Sequence, residues 1–566
     1  MNPITSILLY GRPLLVPLCL LGGLITLNGQ NRFNNSNLPI VQIETERRAL
    51  NAEQKSAGKM QILFRGEGER NAITDTEYAY EGPIAIKYRG KSSLNFAQKQ
   101  YALETRDSAG ENLNVSLLGM RKENDWVLYA PYNDISMIRN VFAYALWSEM
   151  GHWGPRTRMV ELLLNNEYQG VYLLIESIKV DKGRVNIDKL KPDNSSGTEL
   201  TGGYILKIDE PDRDDHYFVS KVEGLFGTAR MAAIGPMGGP GGKATPGGYG
   251  MPMPYGYPSP YGFPAPYGYP GGYGTQPPMQ PGTFPGGNYP GGPIPGGAFP
   301  GSKTPGGKGP GGTLEGAMGG AMGGMGGMMQ GLMGGRNTIK WVVHYPKAEN
   351  LHPEQAAYIQ TYIDNLEALF QSHSYCDTIN GYRKYIDLPS FVDYFIHTEL
   401  SMNADGYKKS TYFYKERDLY DGTNGKLFAG PVWDYNIAFG NCNFCNGNLT
   451  DGWAYEGCTT LPLPAFWQRL VDDPAFMDAV KRRYRSLRQT ALSTQAITQF
   501  IDSCARHLDE AQVRHFAKWN QLLNGRDLTL ASFSAYTVSS YPEEIATLKT
   551  WLKKRLAFLD REWDYW

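Results

Sequence analysis

Asn403-Ala-Asp405-Gly-Tyr-Lys-Lys-Ser410 and Trp433-Asp434-Tyr-Asn436-Ile-Ala-Phe-Gly440 are the two stretches on which the reading of this chain turns. The first sets an acid on a polar loop, after a predicted helix over Leu388 to Met402 and before the β-type run Ser410-Thr-Tyr-Phe-Tyr414. The second sets another acid directly after a β-type run, near a Phe-Gly pair. Two carboxylates on consecutive loops joined by a hairpin can meet in one cleft. There one can orient a hydroxyl nucleophile while the other holds Mg²⁺ on a phosphate. An isolated Asp in such a place more often caps a turn, so the pairing carries the argument.

Outward from these loops the chain divides. Beyond Leu461 the pattern is helical in period, over Pro464 to Val471, Ala475 to Leu492, Thr494 to His507 and Pro542 to Trp566, and a further helix is predicted over His352 to Gln371. From Ile40 to Glu210 short β-type runs alternate with turn residues and predict a mainly antiparallel sheet. One helix interrupts it, with Asp134 as the expected N-cap and Ile138, Val141, Phe142, Ala145 and Leu146 at helical spacing. Asn165-Asn-Glu-Tyr-Gln-Gly170 predicts a hairpin turn.

Between Gly235 and Gly335 lie 37 of the 67 Gly and 20 of the 37 Pro, so the excess of both is local. With four charged residues and few branched aliphatics, this segment predicts a disordered insertion. Over the whole chain 55 Lys+Arg nearly cancel 56 Asp+Glu, which argues against nucleic acid as the partner. The uncharged run from Leu14 to Leu27 predicts a secretory signal peptide or N-terminal anchor over 1–30, and membrane contact only through it. The expected location is secreted, periplasmic or cell-surface. Arg89-Gly-Lys-Ser-Ser93 ends like a phosphate-binding loop, but Ala85 stands where that pattern needs glycine. Neither His-Glu-x-x-His nor Gly-x-Ser-x-Gly occurs. Of the cysteines outside the leader, Cys442, Cys445 and Cys458 predict a local disulfide with one thiol left over.

Taken in order, Ile84-Ala-Ile-Lys-Tyr-Arg-Gly-Lys-Ser-Ser93, Lys99-Gln-Tyr-Ala-Leu103, Asp134-Ile-Ser-Met-Ile-Arg-Asn140, the Asn165 to Glu176 stretch and the Asp405 and Asp434 loops resemble the CotH spore-coat kinase-like family. The resemblance spans roughly residues 40 to 566 apart from the insertion. It implies an α+β, atypical bilobal protein-kinase-like fold: a β-rich nucleotide-binding lobe over 31–234, the insertion over 235–335, and a mainly helical catalytic lobe over 336–566. It implies ATP and Mg²⁺ or Mn²⁺ as cofactors, and γ-phosphate transfer to Ser or Thr of exported or envelope proteins. Carried onto this chain, Asp405 becomes the catalytic acid and Asp434 the metal acid. Lys99 becomes the phosphate-contacting lysine, with Lys87 as competitor. Arg89 and Ser92 fall on the nucleotide-covering loop, and Glu176 near the adenine hinge. Two departures stand out: Ser410 replaces the Asn that holds a second metal in kinases, and Asn436 replaces a second Asp. They leave open a catalytically degenerate surface or assembly protein with the same fold, and transfer of AMP in place of phosphate.

Overall fold

The structure, a computed structural model, describes residues 33–226, 338–456, 458, 461–531 and 533–565. The expected leader over 1–30 and the whole Gly/Pro-rich insertion over 235–335 lie outside the described residues. The first half gives β1 (Asn35–Ser36), β2 (Ile40–Glu44), β3 (Ser56–Leu63), β4 (Asn71–Ala72), β5 (Tyr80–Arg89), β6 (Gln100–Thr105), β7 (Asp125–Tyr129), α1 (Arg139–Glu149), β8 (Thr157–Leu164) and β9 (Glu167–Glu176). Seven of these strands close into a barrel in the order β2-β3-β5-β6-β7-β9-β8. Every pairing is antiparallel except β2 with β8, and that parallel seam closes the ring. The period-2 apolar positions predicted one sheet face; closure turns that face inward, where Ile43, Met60, Ile62, Ile86, Leu103, Leu128, Val160 and Leu174 fill one core. Asn165 and Asn166, both at positive φ, make the β8–β9 turn, as the hairpin signal predicts.

After a short helix, α2 (Gly197–Leu200), come β10 (Tyr204–Ile208) and β11 (Tyr217–Val219). Past the undescribed stretch follow β12 (Lys340–Tyr345), α3 (Pro353–Gln371), α4 (Leu388–Ser401), β13 (Thr411–Lys415) and β14 (Leu427–Ala429). These strands form a second sheet in the order β11-β12-β10-β13-β14. β10 and β11 therefore pair with strands from beyond the insertion, and the last barrel strand ends at Glu176. Strand pairing, which sequence order does not reveal, draws that boundary. β11 and β12, on the two sides of the undescribed stretch, are hydrogen-bonded neighbours.

The rest is helical: α5 (Ala465–Val471), α6 (Pro474–Arg488), α7 (Thr494–His507), α8 (Asp509–Lys518), α9 (Leu528–Ala531) and α10 (Tyr541–Glu562). Side-chain caps from Asp387, Asp473, Ser493 and Ser540 start α4, α6, α7 and α10. The chain is thus mixed α+β, with a β-rich N-terminal half and a helical C-terminal half. One expectation is corrected: α1 begins at Arg139, not beside Asp134, because Met137 takes positive φ and breaks the run. The Asp134 carboxylate still accepts the Arg139 N–H at 3.0 Å.

Candidate active site

Helix α4 is almost wholly buried, and it ends where Met402 turns left-handed. The chain then folds tightly. Asn403 Oδ1 accepts the Asp405 N–H at 3.2 Å, Asn403 O accepts the Gly406 N–H, and Asp405 O accepts the N–H groups of Lys408 and Lys409. Gly406 is required here, since a Cβ would lie 2.6 Å from Thr398 Cγ2 and 2.9 Å from Asn403 O. Below the turn, Glu399 takes the Tyr407 hydroxyl at 2.9 Å and the Ala454 and Tyr455 N–H groups, while Arg555 of α10 donates to the Glu399 carbonyl. The Asp405 carboxylate itself receives no hydrogen bond among the described residues.

The second loop lies against the first, because Phe439 N–H donates to Ser401 O at 2.7 Å. Asp434 is left-handed, with φ 66°, and its N–H donates to the Tyr144 hydroxyl. The Asp434 carboxyl is pushed up to about 6, first by burial, then by Asp405 and Asp209, with Arg89 opposing. Burial also raises Asp405, which Lys409 and Lys408 oppose and Asp209 reinforces. Three carboxylates therefore act on one another. Asn436 Oδ1, two residues beyond Asp434, is buried without a hydrogen-bond partner.

Arg89, at the end of β5, reaches this loop: its guanidinium lies 5.2 Å from the Trp433 ring centroid. Ser92 is exposed and opens the 3₁₀ turn Ser92–Asn95 that follows left-handed Gly90. Lys99 does not join the acids; its Nζ donates to Leu94 O at 2.6 Å and braces that turn. Lys87 points to Glu53 O at 3.4 Å. The Glu176 carboxylate is fully buried and taken by Arg156, at 2.5 and 3.1 Å from its guanidinium and 3.1 Å from its N–H. Ser410, left-handed before β13, makes no side-chain hydrogen bond among the described residues, and none joins it to Asp434 or Asn436.

Two residues of the site were missed in the sequence. Asp209 follows β10, and Lys207, on the same strand, has its Nζ 3.3 Å from the Asp209 carboxylate. Lys207 and Arg89 both act on buried His344, which burial first, and Lys347 with these two cations, hold down at about 3. Positive and negative groups thus share this region. A signal was present: in Tyr204-Ile-Leu-Lys-Ile-Asp209, the polar residues 207 and 209 fall on one face of an otherwise apolar strand.

The oxygen donors Asp434 and Asn436 suit a hard divalent cation. Among the described residues no group of three or more His, Cys, Asp or Glu is spaced to hold a metal ion by itself. Cys445 and Cys458, shortly after this loop, form a disulfide and leave Cys442 as a buried thiol.

The family model described as CotH kinase protein matches residues 86–224 and 330–559. The match takes in Arg89, Lys207, Asp209, Asp405 and Asp434, and its gap covers most of the Gly/Pro-rich stretch. No curated protein matches the chain. With most of its length matched by that model, the chain belongs to the CotH kinase family.

Proposed function

We propose that this protein is a protein kinase of bilobal type, transferring the ATP γ-phosphate to Ser or Thr hydroxyls of exported or envelope proteins. One observation carries the reading: Asp434, on a loop that adjoins the Asp405 turn, has its charge cost raised by Asp405 and Asp209 beside the unpartnered oxygen of Asn436, with Arg89 and Lys207 as nearby cations. Such a site gains from a ligand that carries both a divalent cation and phosphates.

In this reading Asp434 and Asn436 hold the cation, which when bound neutralises phosphate charge. Arg89 and Lys207 face the phosphates, replacing Lys99 in that role. Asp405, whose carboxylate has no hydrogen-bonded partner among the described residues, accepts the proton of the acceptor hydroxyl and orients it for in-line attack. The tight Asn403–Gly406 turn keeps that carboxylate from swinging away.

Export is supported by the apolar Leu14–Leu27 run and by the Cys445–Cys458 disulfide, which suits an oxidising compartment. Among the described residues no helix is long and apolar enough to cross a membrane. A second reading, a partner-binding protein without transferase activity, draws on Ser410 and Asn436, which supply neutral oxygens where kinases carry stronger metal ligands.

The test incubates purified protein with γ- or α-labelled ATP, Mg²⁺ or Mn²⁺ and a protein acceptor, beside D405A and D434A. Label from the γ position that both variants abolish supports the kinase. Label from the α position reassigns the reaction to AMP transfer, and no transfer from either favours the partner-binding reading.

A further inference from the structure

Helix α1 belongs in sequence to the barrel half, between β7 and β8, yet its side chains grip the loop that carries Asp434. Asn140 Oδ1 accepts the Tyr435 N–H at 2.6 Å, and the Tyr144 hydroxyl accepts the Asp434 N–H at 3.1 Å. These two residues are four apart, so they share one helix face and meet two consecutive backbone donors. Arg139 Nε adds a third bond, to Ala438 O at 3.1 Å. The Tyr144 ring also stacks on Trp433, with centroids 5.8 Å apart and planes 17° apart. All three side chains are buried.

This grip bears on a strained position. A non-glycine residue in the left-handed region costs about 1–2 kcal/mol and persists only where its surroundings hold it. Asp434 is such a residue. Asn140 and Tyr144 satisfy the N–H groups of Asp434 and Tyr435, which the neighbouring strands leave unpaired. A shift of α1 would release them and let the backbone relax.

We propose that Asn140 and Tyr144 are positioning residues that lock Asp434 in its left-handed conformation, so that the placement of α1 sets the affinity of the site for its divalent cation. The inference rests on the reading of Asp434 as a cation ligand. It makes α1 the element through which events at the barrel reach the metal loop.

The test uses the full chain with Tyr144→Phe, which removes only the accepting oxygen, and Asn140→Ala as an independent second variant. Amide hydrogen exchange is followed by mass spectrometry in peptides covering Trp433 to Gly440, and Mn²⁺ binding in the presence of ATP by electron paramagnetic resonance. Exchange in that segment should quicken in both variants while the α4 and α10 peptides hold theirs. Mn²⁺ affinity should fall roughly tenfold or more, the usual effect of removing an outer partner of a metal ligand. Phosphotransfer should fall with it and recover at high Mn²⁺, which a general loss of structure would not allow. Unchanged exchange in both variants overturns the lock, whatever the protein's activity. Faster exchange with wild-type Mn²⁺ affinity overturns the link to the cation. If the wild-type chain itself binds no Mn²⁺ with ATP, the kinase reading and the cation link both fail, and the exchange comparison still decides whether α1 holds the loop.

Discussion

Two groups of acids in this protein, one fully buried and one half-buried, have opposite surroundings. Asp134 and Glu544 share Arg139, at 2.6 and 2.7 Å, and Tyr536 completes that network; Glu399 is closed in by Tyr407, two backbone N–H groups and Arg555. Asp405 and Asp209 instead add charge against Asp434, with Arg89, Lys408 and Lys409 opposing from a distance, and among the described residues the only ion pair of these three acids is Lys207 with Asp209 at 3.3 Å. The first group fastens α1, α4 and α10 together. The second costs the fold stability, and such a cost is retained where a ligand relieves it. Compensation and burial together separate structural acids from functional ones here: the first group is fully buried and paired, the second half-buried and short of cations.

The comparison breaks first at the acids themselves. Asp405→Ala or Asp434→Ala should reduce phosphotransfer by at least about 100-fold, the range for removing one group that stabilises transferring charge. Labelled-phosphate assays check this, and the fold should survive, since neither carboxylate anchors an ion pair. Arg139→Met should do the reverse. It leaves Asp134 and Glu544 buried without their cation, and should cost about 3–5 kcal/mol in chemical denaturation.

A smaller effect sharpens the assignment of the cations. Lys207→Met should raise the KM for ATP about tenfold, corresponding to about 1.4 kcal/mol of binding. Lys99→Met should leave that KM nearly unchanged, because its amine only braces the Ser92–Asn95 turn. Steady-state kinetics of the pair decides which lysine meets phosphate.

The smallest effect concerns a buried acid between the two groups in character. Glu367 accepts from Ser220 at 2.6 Å and from Trp341 at 3.0 Å, both neutral donors, and burial pushes it up to about 7. Its folded-state pKa lies above its unfolded value, so the native state holds the extra proton between roughly pH 4.5 and 7. Stability from this group is therefore full below that window and is lost as pH rises through it. Glu367→Gln should flatten that decline in urea titrations across the same range.

How much of this was legible depended on sequence distance. Asp405 and Asp434 sit on loops bounded by a helix, strands and glycine, so local pattern was enough to single them out. Arg89 announced itself through the turn that follows it. Asp209 and Lys207 did not, because β13 reaches β10 across about two hundred residues that include the insertion, and no local signal encodes that pairing. Barrel closure was hidden for the same reason: alternation shows that a strand has a buried face, but not that β2 meets β8. Lys99 was chosen for its position after Arg-Gly-Lys-Ser-Ser, and a flexible side chain at a strand start can turn either way.

The central claim is that the second group of acids is held uncompensated for a cation and nucleotide. Thermal melts of wild type, Asp405→Asn and Asp434→Asn, metal-free and with Mg²⁺ and ATP, test it most directly. The account predicts that each variant melts higher than wild type without metal, because one repelling charge is gone, and that Mg²⁺ with ATP stabilises the wild type and Asp405→Asn but not Asp434→Asn. Variants that melt lower without metal, beside a wild type indifferent to Mg²⁺ and ATP, would contradict it.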